Sequence, residues 1–260
     1  MRYTEAPARR EELLRRIASD GYVSSSAIAE EFGVSEMTIR RDLRQLHLDG
    51  AARRVAGGAS LPSGVSRGAP FEERDRHAGL EKQVIAARCA ELLRGAGTIA
   101  IDAGTTAAAV AALLEGPATV VTHSVPVITA CTERDDIELI GLGGRYEPST
   151  RSFGGSSVTA VLDRVAIDVA VLSATAVDET GLLCVNEIDA ETKRAMAAAA
   201  RRTILVVDST KIGGRAPIRF GRLSSIDTVV TSDATGEVER AILAEAPELL
   251  YAAMPLEGVR

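Results

Sequence analysis

The chain is 260 residues long, 46% hydrophobic and 25% charged, with 3% aromatic residues, no Trp and a net charge of −6. This balance suits one large or two smaller globular domains with cores of Ala, Val, Leu and Ile. No run approaches the roughly 18 apolar residues that span a bilayer, and Met1–Glu5 lacks the apolar core of a secretory signal.

The first expected element is a helix over about residues 8–19, with Leu13, Leu14 and Ile17 on one side and Arg9, Arg10, Arg15 and Arg16 largely on the other. After Asp20-Gly21, Ser24 or Ser25 can cap a second helix carrying Ile28, Ala29 and Phe32 inward, and Gly33-Val34 makes a tight turn. Ser35 then caps a third helix over residues 36–48, where Ile39, Leu43 and Leu46 face inward and Thr38, Arg41 and Gln45 face away, flanked by Arg40 and Arg44. Two short helices joined by that turn form a helix-turn-helix, and the extended stretch from Ala51 to Ala59 reads as a β wing.

Charge distribution supports a DNA partner better than the net charge does. Residues 1–60 hold ten Arg against nine Asp or Glu, whereas the other 200 residues hold 20 basic and 27 acidic side chains. The stripe of Arg40, Arg41, Arg44, Arg53 and Arg54 is the one face of an acidic molecule that can approach a phosphate backbone. The residues expected on DNA are Ser35, Met37, Thr38, Arg40, Arg41 and Arg44, with Arg53 and Arg54 laid along phosphates. Residues 1–60 are thus a winged helix-turn-helix, and the Gly/Pro/Ser-rich residues 61–79 are a linker.

Residues 80–260 are expected to be a second, α/β domain. After a helix over 80–93, β-branched runs at 98–101, 119–122, 137–141, 168–172, 203–207 and 227–231 alternate with Ala-rich helices. The clearest of those helices span 105–114, 125–133, 189–200 and 237–244. This order predicts a Rossmann-like parallel sheet covered on both faces, with ligands collecting at the C-terminal ends of its strands. There, Asp102-Ala103-Gly104-Thr105-Thr106 joins a strand to a helix start. Its Gly lets an anion approach the backbone, its hydroxyls add donors, and Asp102 can accept from sugar hydroxyls. Thr122-His123-Ser124, Gly143-Gly144-Arg145, Ser173-Ala174-Thr175 and Asp208-Ser209-Thr210-Lys211 follow later strands. Arg145 and Lys211 bring positive charge, so the set forms a pocket for an anionic ligand. Asp189 reads first as a helix cap and second as a ligand contact, beside Lys193 and Arg194.

Cys89, Cys131 and Cys184 are far apart without a CxxC pair and read as reduced, buried thiols of a cytoplasmic protein. His47, His77 and His123 have no metal-ligand spacing, and no cofactor is called for.

The string from Ser35 to Leu43, continued by Leu46, Gly50, Arg54 and Gly57-Gly58-Ala59, resembles the DeoR family of sugar-metabolism regulators. The second domain resembles that family's sensor at Asp102–Thr106, Gly143-Gly144, Gly181, Lys193–Met196 and Asp208–Lys211, so the likeness covers nearly the whole chain. Three positions depart from it: His123 replaces a usual Asn, Asp189 a usual Glu, and Ala56 a usual His. The resemblance implies a sensor fold similar to ribose-5-phosphate isomerase, assembly as a dimer or tetramer, and repression of a sugar or polyol catabolic operon. Double-stranded operator DNA is the expected partner, and a phosphorylated sugar or polyol is the expected releasing effector. The effector set is Asp102, Gly104, Thr105, Thr106, Thr122, His123, Gly143, Gly144, Arg145, Asp189, Lys193 and Lys211. Two alternatives stand beside this reading. One is an activator or dual regulator, since the sign depends on operator position. The other is a sugar-phosphate isomerase or deaminase with Asp102, His123 or Asp189 as base, which lacks a matched acid and base pair.

Overall fold

Local backbone chemistry sets the first three helix boundaries. The computed structural model describes residues 6–20, 22–49, 51–55, 57–60, 71–76 and 78–255, and the chain divides into two units, Met1–Gly64 and Val65–Arg260. The first unit runs α1 (Ala6–Asp20), β1 (Tyr22–Ser24), α2 (Ser25–Phe32), α3 (Glu36–Leu48), β2 (Arg53–Val55) and β3 (Gly58–Ser60). Ser24 caps α2 by accepting from the Ala27 amide, and Ser35 caps α3 by accepting from that of Thr38. Between them Gly33 takes φ +66°, a left-handed conformation that ends α2 at little cost because Gly has no Cβ.

Leu13 and Ile17 of α1 and Ile39 and Leu43 of α3 are buried with Phe32 of α2 in one core. Each such aliphatic side chain contributes about 1.5–3 kcal/mol relative to exposure. Arg9 of α1 also pairs with Asp42 of α3 at 2.5 Å inside this core. The three strands form an antiparallel sheet in the order β1-β3-β2. Ser25 fastens α2 to the wing by donating to the Gly57 carbonyl from both its amide and its hydroxyl. The winged helix-turn-helix is therefore as expected, with Gly50 and Ala56 outside the described residues.

The second unit opens with α4 (Phe71–Arg76), α5 (Gly79–Leu92), β4 (Thr98–Ile101), α6 (Thr105–Ala112), β5 (Ala118–Thr122), α7 (Val125–Thr132) and β6 (Ile137–Gly141). It continues with β7 (Arg145–Glu147), β8 (Ser152–Gly154), α8 (Ser156–Leu162), β9 (Ile167–Ser173), β10 (Ala176–Asp178), β11 (Gly181–Cys184) and α9 (Glu187–Ala199). It closes with β12 (Ala200–Val206), β13 (Ile218–Gly221), β14 (Thr228–Ser232), α10 (Glu237–Leu243) and β15 (Leu249–Ala252).

Seven strands make a parallel sheet in the order β15-β14-β12-β9-β4-β5-β6. Alternation along each strand supplies two cores. Ile99 and Ile101 of β4 pack with α5, α6 and α7, whereas Ala100 joins the opposite core with Val158 of α8, Met196 of α9 and Leu243 of α10. The chain first adds strands on one side of β4 and then returns to its other side with β9. Ligands of such sheets bind outside the strand ends at that reversal.

The structure corrects the linker expected over 61–79. Residues 61–70 and His77 lie outside the described residues, but Phe71–Arg76 is helical, with Phe71 buried and α4 packed against α6. The β7–β8 hairpin, the antiparallel sheet β10-β11-β13, helix α8 and edge strand β15 are further elements without a sequence counterpart above. Among the described residues, no helix is long and apolar enough to cross a membrane. All three cysteines are buried and unpaired.

Candidate functional sites

Helix α3 turns one side into the first unit's core and leaves the other in water. Ile39, Asp42, Leu43 and Leu46 are buried, whereas Met37, Arg40, Arg41, Arg44 and Gln45 are exposed. The buried Arg9 pair withdraws Asp42, the one carboxylate among residues 37–48, from the outer face. Arg41 and Arg44 have no ion partner among the described residues. Arg40 lies against Glu36 at 2.7 Å, an exposed contact one turn away that a phosphate can displace. Ser35 and Thr38 share a hydroxyl contact of 2.8 Å at the helix start. Arg53 and Arg54 stand in β2, opposite Ser60 and Ala59 in register. The face expected to meet DNA is thus assembled on one helix, with its N-terminus fixed by the Ser35 cap.

In the second unit the reversal between β4 and β9 carries a buried charge cluster. Asp102 follows β4 and is fully buried. Its Oδ2 accepts from the Ser173 amide and hydroxyl, both at 2.8 Å, and from Lys193 Nζ, while Oδ1 faces His123 Nε2 at 3.2 Å. Four donors use essentially all the acceptor capacity of a carboxylate. Asp102 is therefore a hub that joins β4, β5, β9 and α9, and the expectation that it accepts from sugar hydroxyls is corrected. Its neighbour Gly104 is required by close packing, since a Cβ there would overlap Ser173 Oγ and stand 2.7 Å from Ser173 Cβ.

His123 Nδ1 faces the Phe153 carbonyl at 2.8 Å. Both ring nitrogens thus address oxygen atoms, one on the Asp102 carboxylate and one on the Phe153 backbone. Lys193 also reaches Asp189 at 3.4 Å and lies 5.5 Å from the centre of the Phe220 ring. Burial disfavours the Lys193 ammonium, yet Asp102 and Asp189 hold its pKa above the ordinary lysine value. Burial likewise works against an ionised Asp102, but Lys193 and His123 hold it well below the usual carboxylate range. Asp189 goes the other way: burial, reinforced by the Asp102 charge, outweighs Lys193 and raises it.

Asp189 is not a cap. Asn186 caps α9 by accepting from the Asp189 amide at 2.8 Å, which leaves the Asp189 carboxyl to line a cleft. That cleft has about 330 Å³ of empty volume counted to its open mouth, and its wall includes Arg74, Ala103, Ser149, Thr150, Ser173, Thr175, Asp189 and Lys193. Thr105 and Thr106 are buried at the α6 N-terminus beside Ala103, and neither hydroxyl makes a hydrogen bond among the described residues. Thr122 serves structure instead, donating to the Ile101 carbonyl at 2.6 Å and accepting from the Ser124 amide.

The two cations expected in the pocket are elsewhere. Gly143, Gly144 and Arg145 are exposed where the β7–β8 hairpin begins and are not part of the cleft wall. Lys211 sits in a short turn held by Glu81, whose carboxylate accepts from the Ser209 amide and hydroxyl, and it too is outside the wall. Arg74, Ser149, Thr150 and Asn186 went unrecognised in the sequence. The one signal for Arg74 was its i, i+3 spacing from Phe71 in a stretch otherwise read as linker.

Residues 9–65 match the DeoR-like helix-turn-helix domain, and residues 78–233 match the DeoR C terminal sensor domain. The glycerol-3-phosphate regulon repressor of Escherichia coli (strain K12) is 32% identical over 222 residues, covering 84% of this chain and 88% of that protein. The HTH-type transcriptional regulator IolR of Bacillus subtilis (strain 168) is 32% identical over 226 residues, covering 85% and 89%. Among solved structures, ribose 5-phosphate isomerase A from Neisseria gonorrhoeae aligns with a TM-score of 0.39 at 16% identity over 55% of each chain.

Proposed function

The chain belongs to the DeoR family of DNA-binding transcriptional regulators, and from that premise we propose that it represses a sugar or polyol catabolic operon and is released by a phosphorylated intermediate. The observation that carries the DNA side is the outer face of α3, where Arg41 and Arg44 stand unpaired among the described residues while Asp42 is turned inward. The helix N-terminus reads base edges in the major groove, the arginines meet bases and phosphates, and the wing carrying Arg53 and Arg54 follows the backbone.

The effector side rests on the cleft at the β4–β9 reversal. A polyol finds hydroxyl partners in Ser173, Thr175 and Asp189, and a phosphate finds the amides of the α6 N-terminus with the Thr105 and Thr106 hydroxyls. A dimer or tetramer in the cytoplasm fits this reading. Paired heads engage half-sites about 34 Å apart, and buried unpaired cysteines suit a reducing compartment. Effector binding then changes the placement of the heads and weakens simultaneous contact with both half-sites.

The test is a gel-shift titration on duplexes selected from a random library, repeated with glycerol 3-phosphate, glucose 6-phosphate, fructose 1-phosphate and ribose 5-phosphate. Salt-sensitive binding relieved by one of these is expected. Absence of DNA binding by the intact protein would remove the regulator reading, and indifference to every sugar phosphate would remove the effector reading.

A further inference from the structure

We propose that Arg74, on the first helix of the second unit, is the residue that recognises the effector's anionic group, so that the ligand is anchored on the element that follows residues 61–70. This rests on the phosphorylated-effector reading above and adds the cation which that reading lacks, since Arg145 and Lys211 are not in the cleft wall.

Four observations carry it. First, Arg74 lines the cleft with Ser149 and Thr150, and the same lining includes Ser173, Asp189 and Lys193. Lys193 already holds Asp102 and Asp189, leaving its charge neutralised from inside the protein. Arg74 is the other cation of that lining. Second, its guanidinium is pre-placed. It lies 5.7 Å from the centre of the buried Phe71 ring and reaches the Ser149 carbonyl at 3.5 Å, which sets it at the Ser149 side of the lining. Third, its backbone is fastened: the buried Lys82 ammonium of α5 donates to the Arg74 carbonyl, tying α4 to α5. Fourth, α4 packs against α6, whose first residue, Thr105, lies two past Ala103 at the cleft, so backbone amides and a guanidinium can serve one anion together.

The cleft lining therefore combines hydroxyl and carboxyl groups that suit a polyol with a fork-shaped cation that suits a phosphate. A planar guanidinium suits a tetrahedral oxyanion because it offers two parallel N–H donors.

The test uses the full chain and three proteins: wild type, Arg74→Gln and Arg74→Lys. Calorimetric titration is run with glycerol 3-phosphate, glucose 6-phosphate, fructose 1-phosphate and ribose 5-phosphate, each beside its unphosphorylated parent. The wild type is expected to bind one phosphorylated compound in preference to its parent. Arg74→Gln should weaken that compound roughly ten- to hundredfold, as loss of a charge-assisted hydrogen bond does, while the parent's affinity changes little. Arg74→Lys should recover part of the preference. Undiminished preference in Arg74→Gln would overturn the role of Arg74 and leave the phosphate-sensor reading standing. Equal weakening of phosphate and parent, with no recovery by Lys, would show a structural brace and also overturn it. A wild type that binds no phosphorylated compound better than its parent would sink both readings.

Discussion

On α3, Arg41 and Arg44 stand in water, whereas Lys193 in the second unit has 2% of its side chain exposed and is held between two carboxylates. The same kinds of charge therefore work under opposite conditions. An exposed guanidinium costs almost nothing to maintain and is screened within about 8–10 Å by salt, so it is spent on a partner that is itself densely charged. A buried ammonium has given up its hydration, and only close opposite charges offset that loss. The first arrangement can be edited one residue at a time with little effect on folding. The second behaves as a unit, because each member is the solvent of the others.

The largest expected effect follows from that difference. Asp102→Asn preserves shape but strips the negative charge that faces Lys193, His123 and two Ser173 donors. Removing one partner of a buried pair typically costs about 3–5 kcal/mol, readable as a lower urea midpoint for the second unit. The pH dependence has a defined sign. Because the folded protein holds Asp102 below its ordinary value, its stabilisation is complete above the unfolded value of about 3.9 and fades as the pH falls through the lower, folded one. A loss under about 1 kcal/mol at pH 7 would mean the cluster is not the hub described.

Arg41→Ala should show the reverse profile. Folding stability should move by no more than about 0.5 kcal/mol, as at other exposed sites. Operator affinity should fall by about 1–3 kcal/mol if Arg41 reads a base, or the log–log salt slope should flatten by about 0.9 if it meets a phosphate. Unchanged binding at every salt concentration would take Arg41 out of the interface. Between these extremes stands Ser35→Ala, which removes the cap accepting from the Thr38 amide at 3.2 Å. It should cost about 1 kcal/mol in thermal unfolding of the first unit, together with operator affinity, because that cap fixes the helix end presented to DNA.

The same contrast explains what was legible in the sequence. The first unit is written in short-range chemistry: Ser24, Gly33 and Ser35 mark helix ends within a few residues of where they act, and the 3.6-residue period names the buried side of α3. The sheet's inner strands could also be read, because their apolar runs are buried on both faces, whereas the half-exposed edge strand β15 could not. The site between them could not be read at contact level. Asp102 meets Ser173 and Lys193 at sequence separations of 71 and 91 residues, and no local pattern says that these donors leave it no capacity for a sugar. Asp189 resembled a cap because it lies in the first turn of α9, yet Asn186, three residues earlier, takes that place. Arg145 and Lys211 were expected in the pocket because they follow strand ends and carry positive charge, and the folding of the β7–β8 hairpin and the Glu81 contacts places them outside the cleft wall. Arg74 was hidden because a six-residue helix after a Gly/Pro/Ser-rich stretch carries too little periodicity to register.

The smallest effect tests the cluster most finely. Asp189 and Asp102 both face Lys193, but burial and the Asp102 charge raise Asp189 while Asp102 is lowered. A group whose folded pKa is raised favours folding at low pH and loses that advantage as the pH climbs from its unfolded value toward the folded one. Asp189→Asn removes a charge that burial and Asp102 already disfavour, so it should stay within about 1 kcal/mol of wild type at pH 7, against the several expected for Asp102→Asn. Its stability relative to wild type should also improve as the pH is raised from about 4, the window just above the ordinary carboxylate value. Urea unfolding of both proteins across that range decides the matter. If Asp189→Asn lost several kcal/mol at pH 7 and less at pH 4, Asp189 would be a tightly paired carboxylate like Asp102. The Asp189 carboxylate would then be committed to Lys193, and ligand selection would fall to Ser173, Thr175 and Arg74 of the cleft lining.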